Sequence, residues 1–295
     1  MDSDISTAAT TSISTMPDQP DGPTRRTMIR TLLVVVALVV TFAGAVGIGG
    51  LAWGIGSLRI AAHTQVLPPG MQSLTIDAGA TPLVIRLTAD RDVREPQVRM
   101  RLLRTTQSSE TALNVVKNGD IVGLTVAGAP SPVFDFGPPG EITVTLPPDM
   151  AHRLSVSTKQ QKGMLLAQTE LDQLTVRSTE GSVSLDGAAR RIEVHTTSGE
   201  IRTRQPISVT ESFLAESDNG HIAVDFRDAA PRVVQATARD TDIAIDLPPE
   251  GPYFVRARAG EKVTVRVPQT DDLADAAAQI TARTDDGSVL ITTRR

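Results

Sequence analysis

The chain has 295 residues, of which 40% are hydrophobic and only 3% aromatic, with a formal net charge of −5 and no cysteine. That length holds one or two ordinary domains, and the missing cysteines exclude disulfides, thiolate zinc sites and cysteine nucleophiles. A net negative charge without a basic block beyond the N-terminal apolar segment also excludes the dense cationic footprint that nucleic acid requires.

Residues 1–28 are rich in Ser, Thr, Asp and Pro. They carry too little apolar surface to offset the entropy of ordering, so a disordered tail is expected. Residues 29–58 read as a transmembrane helix: from Thr31 to Leu58 there is no charged residue, and a helix of that length reaches about 42 Å, more than the ~30 Å hydrocarbon core. Arg25, Arg26 and Arg30 precede the span and Arg59 alone follows closely. The positive-inside bias therefore puts the N-terminus in the cytoplasm and the C-terminal domain outside the cell membrane. The competing reading is a cleaved twin-arginine-like export signal, with Ala43-Gly44-Ala45 as the small-residue cleavage site. Apolar sequence running on from Val46 to Ile60 would then be left exposed, which favours a retained anchor. Gly50 and Gly54 have the spacing that lets two membrane helices approach closely, so a weak homodimer through the span is an option.

Residues 59–72, with Pro68, Pro69 and Gly70, read as a linker, and 73–153 as the leading strands of the ectodomain. Alternation at Leu74-Thr75-Ile76 and from Leu83 to Leu87 suggests ordinary antiparallel strands. From 154 to 295 a unit repeats: an alternating strand, a polar corner ending in glycine, then a second alternating strand. Gly163, Gly181, Gly199, Gly220 and Gly287 hold the same place in successive units, while Thr241 and about Glu261 fill it in two weaker copies. Corners recur about every 18 to 21 residues and lengthen to about 26 at the last step. That is the coil length of a stacked β-solenoid, in which each coil buries its apolar face on the next. The corner favours a residue tolerant of positive φ, so Asp240-Thr241-Asp242 should be strained or differently turned. The Asp/Ala-rich stretch 270–279 suggests one short helical turn between coils. The fold class expected is all-β, a β-solenoid-like ectodomain behind one membrane helix and a disordered tail.

The Thr-Ser-Gly-Glu-Ile type of corner, as at 197–201, and the stretch from Glu141 to Pro148 resemble the bacterial adhesin-like domain of unknown function. Its members carry this strand, Ser/Asn-Gly, strand unit in tandem, often behind a membrane helix. The resemblance covers roughly 73–295 and implies the solenoid architecture and a place in the cell envelope. It carries over no catalytic residue.

No catalytic, cofactor-binding or metal site is assigned. His63, His152, His195 and His221 are isolated in sequence, and neither a Gly-x-Ser-x-Gly elbow nor a phosphate loop is present. Asp218, Asp240, Asp242, Asp285 and Asp286 sit at or beside corners, where turn formation explains them, although a calcium site or a carboxylate dyad would use the same residue types. Phe134 and Phe136 mark a candidate contact loop, although covering the open end of the solenoid is the preferred reading of it. The leading expectation is a non-enzymatic, membrane-anchored scaffold or adhesin-like interaction domain. Its partner would be a protein or an envelope polymer. An envelope sensor that relays ectodomain state to a cytoplasmic partner is the alternative, and a carbohydrate-active solenoid enzyme a third.

Overall fold

The computed structural model describes residues 59–104, 112–127 and 140–294. The tail, the span expected over 29–58, Gly50 and Gly54, and the loop with Phe134 and Phe136 lie outside them. Among the described residues no helix is long and apolar enough to cross a membrane.

Valine, isoleucine and threonine on alternate positions favour pleated strands, and the described residues form nineteen of them in one sheet. Three begin the count: β1 (Arg59–Val66), β2 (Ser73–Gly79) and β3 (Leu83–Ala89). β4 (Gln97–Arg104), β5 (Ala112–Asn118), β6 (Ile121–Ala127) and β7 (Gly140–Leu146) follow, and then a single helical turn, α1 (Pro148–Ala151), with proline in its first turn. Next come two long bent strands, β8 (Ser155–Gln168) and β9 (Glu170–Leu185). The remaining coils are each a strand pair: β10 (Ala188–Ser198) with β11 (Ile201–Thr203), β12 (Ser208–Ser217) with β13 (Ile222–Asp225), and β14 (Val233–Ala238) with β15 (Ile243–Leu247). Two more pairs, β16 (Tyr253–Arg258) with β17 (Lys262–Arg266) and β18 (Ala278–Thr284) with β19 (Ser288–Thr293), end the chain.

Each coil turns at a corner, so the sheet has two arms. In the first arm β6, β2, β8, β9, β10, β12, β14, β18 and β16 run side by side, all parallel. In the second, β7, β3, the far halves of β8 and β9, β11, β13, β15, β19 and β17 do the same. Parallel in-register pairing between successive coils is what a tandem repeat dictates, because equivalent residues stack: Leu174 beside Ile192, Ile192 beside Phe213, Phe213 beside Val234. These inward residues join those of the other arm, such as Val183, Ile201, Ile222 and Ile243, in one buried cluster. Phe213 and Phe226 meet edge to face across it, 5.3 Å between centroids.

Four features differ from the sequence reading. Arg59–Val66, expected as linker, is a strand antiparallel to β4. The stack begins at residue 73 instead of 154, since β2 and β3 pair parallel to β8 and make a first coil. Among the described residues only β1–β4, β4–β7 and β5–β6 are antiparallel. Residues 270–279 make one hydrogen-bonded turn, with the Ala276 N–H donating to the Leu273 carbonyl at 3.4 Å, but no helix, and β18 begins within them. The last two coils also stack out of sequence order. β18 and β19 pair with β14 and β15 on one side and with β16 and β17 on the other, so the C-terminal coil is inserted and the coil at 253–266 stands at the end. The long final step in the repeat is the connection that carries the chain back.

Candidate functional site

The corner glycines form a column. Gly163 and Gly181 are direct pairing partners, and a Cβ on Gly181 would fall 2.5 Å from the carbonyl oxygen of Gly163. A Cβ on Gly199 or Gly220 would collide in the same way with the backbone of the glycine one coil below. Positive φ is required only at Gly163, Gly199 and Gly287, at +131°, +154° and +141°. At Gly181 and Gly220 the expected dihedral reason fails, and close backbone stacking takes its place. The Asp240-Thr241-Asp242 corner turns without positive φ. The neighbouring coil holds it through a side chain and a backbone group: the Thr284 hydroxyl donates to the Thr241 carbonyl at 2.7 Å, and the Ser288 backbone N–H donates to Asp242 Oδ1 at 2.8 Å.

The outward side chains of the first arm form rows across the coils. One row runs Lys159, Arg177, His195, Glu216, Thr237, Arg283 in register. Where the strands bend towards the corner it lines an open groove of about 500 Å³, with Arg177, His195, Glu216, Asp218 and Arg239 on its walls. His195 lies between two carboxylates, Nδ1 at 2.8 Å from Glu216 and Nε2 at 2.7 Å from Glu193, and Arg239 reaches Asp218 at 3.2 Å. At the other end of the same strands Arg190 bridges three coils. It donates two hydrogen bonds to Asp172, at 2.8 and 2.9 Å, and one to Glu211 at 2.9 Å, while Arg191 also reaches Glu211, at 2.6 Å. The hydrogen bond from Arg190 holds the Asp172 carboxyl below the usual carboxylate range, and those from Arg191 and Arg190 do the same for Glu211.

A second cluster sits at the far end of the other arm. Asp225 and Asp246 pair in register on adjacent coils. Burial pushes the Asp225 carboxyl up, against the pull of Arg294 at 3.6 Å and with a further push from Asp246. Asp246 accepts a short hydrogen bond from the Thr292 hydroxyl. Tyr253 is fully buried, donates to the Pro248 carbonyl at 2.7 Å and is pushed up to about 12 by burial.

Of the corner acids, Asp218 and Asp285 line the same groove, but each has its own partner. Asp218 is taken up by Arg239, Asp285 by Arg283 and Asp242 by a backbone N–H. Among the described residues no group of three or more His, Asp or Glu side chains has the arrangement of a metal site. The Arg190 bridge and the Asp225/Asp246 pair were not singled out from sequence. The second had a signal in Ile-Ala-Val-Asp at 222–225 and Ile-Ala-Ile-Asp at 243–246, the same place in successive coils.

Residues 150–292 match the Toastrack DUF4097 family. The Toastrack match begins at α1 and takes in every coil from β8 onward, while the first coil at 73–89 precedes it. No curated protein matches the chain. Among solved structures it is similar to an adhesin-like protein from Parabacteroides distasonis, at 9% identity and a TM-score of 0.49, over 80% of this chain and 97% of the other. One from Parabacteroides merdae gives 9% and 0.47 over the same shares. One from Bacteroides fragilis gives 13% and 0.41, again over 80% and 97%.

Proposed function

We propose that the coil array is a non-catalytic scaffold or adhesin-like interaction domain, held outside the cytoplasm by a membrane span at 31–58, that binds a protein or polymer of the bacterial cell envelope. The observation that carries this reading is the row of polar and charged side chains from Lys159 to Arg283, repeated once per coil along the first arm. Such a surface offers a partner the same kind of contact at each ~4.8 Å step, and its affinity is spread over coils instead of resting on one chemical centre. The charge bias around the span supports the orientation.

Co-purification of cross-linked partners from intact envelopes tests it, with the full chain as bait. Glu216→Gln or Asp218→Asn alone should leave the set of partners unchanged, and Arg177→Glu combined with Glu216→Lys and Arg239→Glu should deplete it. If one acid-to-amide change abolished capture while circular dichroism stayed unchanged, a localised site would replace the distributed one. Protease added to spheroplasts should remove the part beyond Arg59 and spare a tag on the N-terminal tail. A protected C-terminus would reverse the topology.

The Asp225/Asp246 pair favours a hydrolytic reading, because two carboxyls in register on adjacent coils, one of them raised by burial, are the arrangement for acid–base work. Thr292 holds Asp246, however, and Arg294 pairs with Asp225 at 3.6 Å without a hydrogen bond. The scaffold reading is therefore preferred.

A further inference from the structure

The coil at the end of the stack is unfinished. β16 and β17 pair with β18 and β19 on one side, and among the described residues the opposite edge is met only at its first residue, where the Tyr253 N–H donates to the Pro268 carbonyl and the Thr270 N–H to the Tyr253 carbonyl. Beyond Tyr253 no described residue pairs with the backbone donors and acceptors of that edge. The side chains continue the pattern. One coil inward, Ile280, Ala282, Val289 and Ile291 are 0–1% exposed. Their register partners Val255, Ala257 and Val265 are only partly buried, and Val263 is 42% exposed. A further strand would cover this row as each coil covers the one before it.

Charge says which strand. Arg256, Arg258, Lys262 and Arg266 are all exposed on this coil, and Arg256 lies over the Phe254 ring at 4.9 Å. The one acid in the segment, Glu261, is engaged by the Ser288 hydroxyl at 3.0 Å. Cations on an edge strand keep a second copy of the same edge away, since like charges directly opposite are unfavourable. They also select a strand whose outward positions are acidic.

We propose that the free edge of the β16/β17 coil accepts an extended acidic segment of a partner protein as an added strand, with apolar residues turned to Val255, Val263 and Val265 and carboxylates beside Arg256, Arg258 and Lys262. This rests on the interaction-domain reading and names the partner's chemistry at one end of the stack. The binding mode is β-augmentation, in which main-chain hydrogen bonds hold the segment and alternate side chains select it.

The test uses the detergent-solubilised full chain and a synthetic ten-residue peptide of alternating valine and glutamate. Two control peptides carry lysine for glutamate, or N-methylation at alternate residues on one edge. The acidic peptide should bind saturably, and both controls at least tenfold more weakly. Arg256→Glu with Arg258→Glu should weaken the acidic peptide at least tenfold, and Arg256→Gln with Arg258→Gln serves if the first variant misfolds. Lys117→Glu, on β5 at the other end of the stack, should change nothing. Equal binding of the N-methylated peptide would show charge attraction without strand addition and overturn the proposal, as would no binding at all. So would a dimer of the peptide-free chain in sedimentation that Val263→Lys dissolves, because a second copy would then occupy the edge. If the peptide fails while envelope partners are still captured, only the edge proposal falls; if it binds and no envelope partner is captured, the broader reading falls.

Discussion

At Gly199 the chain turns with φ at +154° directly over the backbone of Gly181, so a side chain there meets both dihedral strain and a collision. Gly199→Val should cost roughly 1 to 3 kcal/mol or more in urea unfolding, and Ser198→Ala well under 1. Equal effects would argue against the stacked corner. Gly220 separates the two causes, because only the collision acts there. Gly220→Ala should therefore remain clearly destabilising although alanine suits its dihedrals. Asp225 carries a pH signature. Its folded pKa is raised, chiefly by burial, so its contribution to stability is present below the ordinary carboxylate value and is lost as pH rises through the raised one. Asp225→Asn should consequently match the parent near pH 3 and exceed it in stability at pH 7, by chemical denaturation at both values. A variant less stable at pH 7 would mean that the Arg294 pairing outweighs burial.

The elements show what the sequence made legible. Corner glycines stand out because a Cβ is excluded at each, so the strand–corner–strand period could be read without structure. The first coil escaped notice because its turn uses Gly79 at φ +55°, ahead of Leu83, which displaces the glycine from its repeat position. The Arg190 bridge escaped for another reason. Pairing of β10 with β12 shifts register between Ala189 and Arg191, and a bulge of one residue leaves no mark in a period-two pattern. That bulge lets consecutive arginines reach the same Glu211. The bridge is part-exposed, so Arg190→Met should lower stability only slightly, with most of the loss gone in 1 M salt. Because the folded pKa values of Asp172 and Glu211 are lowered, the stabilisation exists above their ordinary values and disappears as pH falls through the lowered ones. Parent and variant should converge in acid. A difference that persisted at low pH would assign the arginine a packing role through its aliphatic stem.

At the scale of the molecule, order in sequence and order in space part company at the end of the stack, and that decides which deletions the fold tolerates. An interior coil touches mainly its two neighbours, so removing one whole repeat lets the flanking coils meet. Excising 182–199 joins Gly181 to Glu200 and places Ile201 where Val183 stood, in the register the two already share as partners. The excision also removes Arg190 and leaves Asp172 facing Glu211, so the excised chain should carry Glu211→Gln. It should fold cooperatively with a β spectrum like the parent's and a lower midpoint. Truncation after Ala277 removes about as many residues with a different outcome. The lost strands β18 and β19 are the only strands that pair with β16 and β17 among the described residues, apart from a single bridge at Tyr253, and they cover β14 and β15 as well. The truncated chain should therefore lose the coil at 253–266 along with the deleted one and expose Ile243 and Ile245, which hydrogen exchange would report as lost protection from about 243 onward. Had the coils stacked in sequence order, truncation would uncover β16 and β17 on one side and leave them protected. Retained protection at Val255 and Val265 in the truncated chain would refute the inserted arrangement.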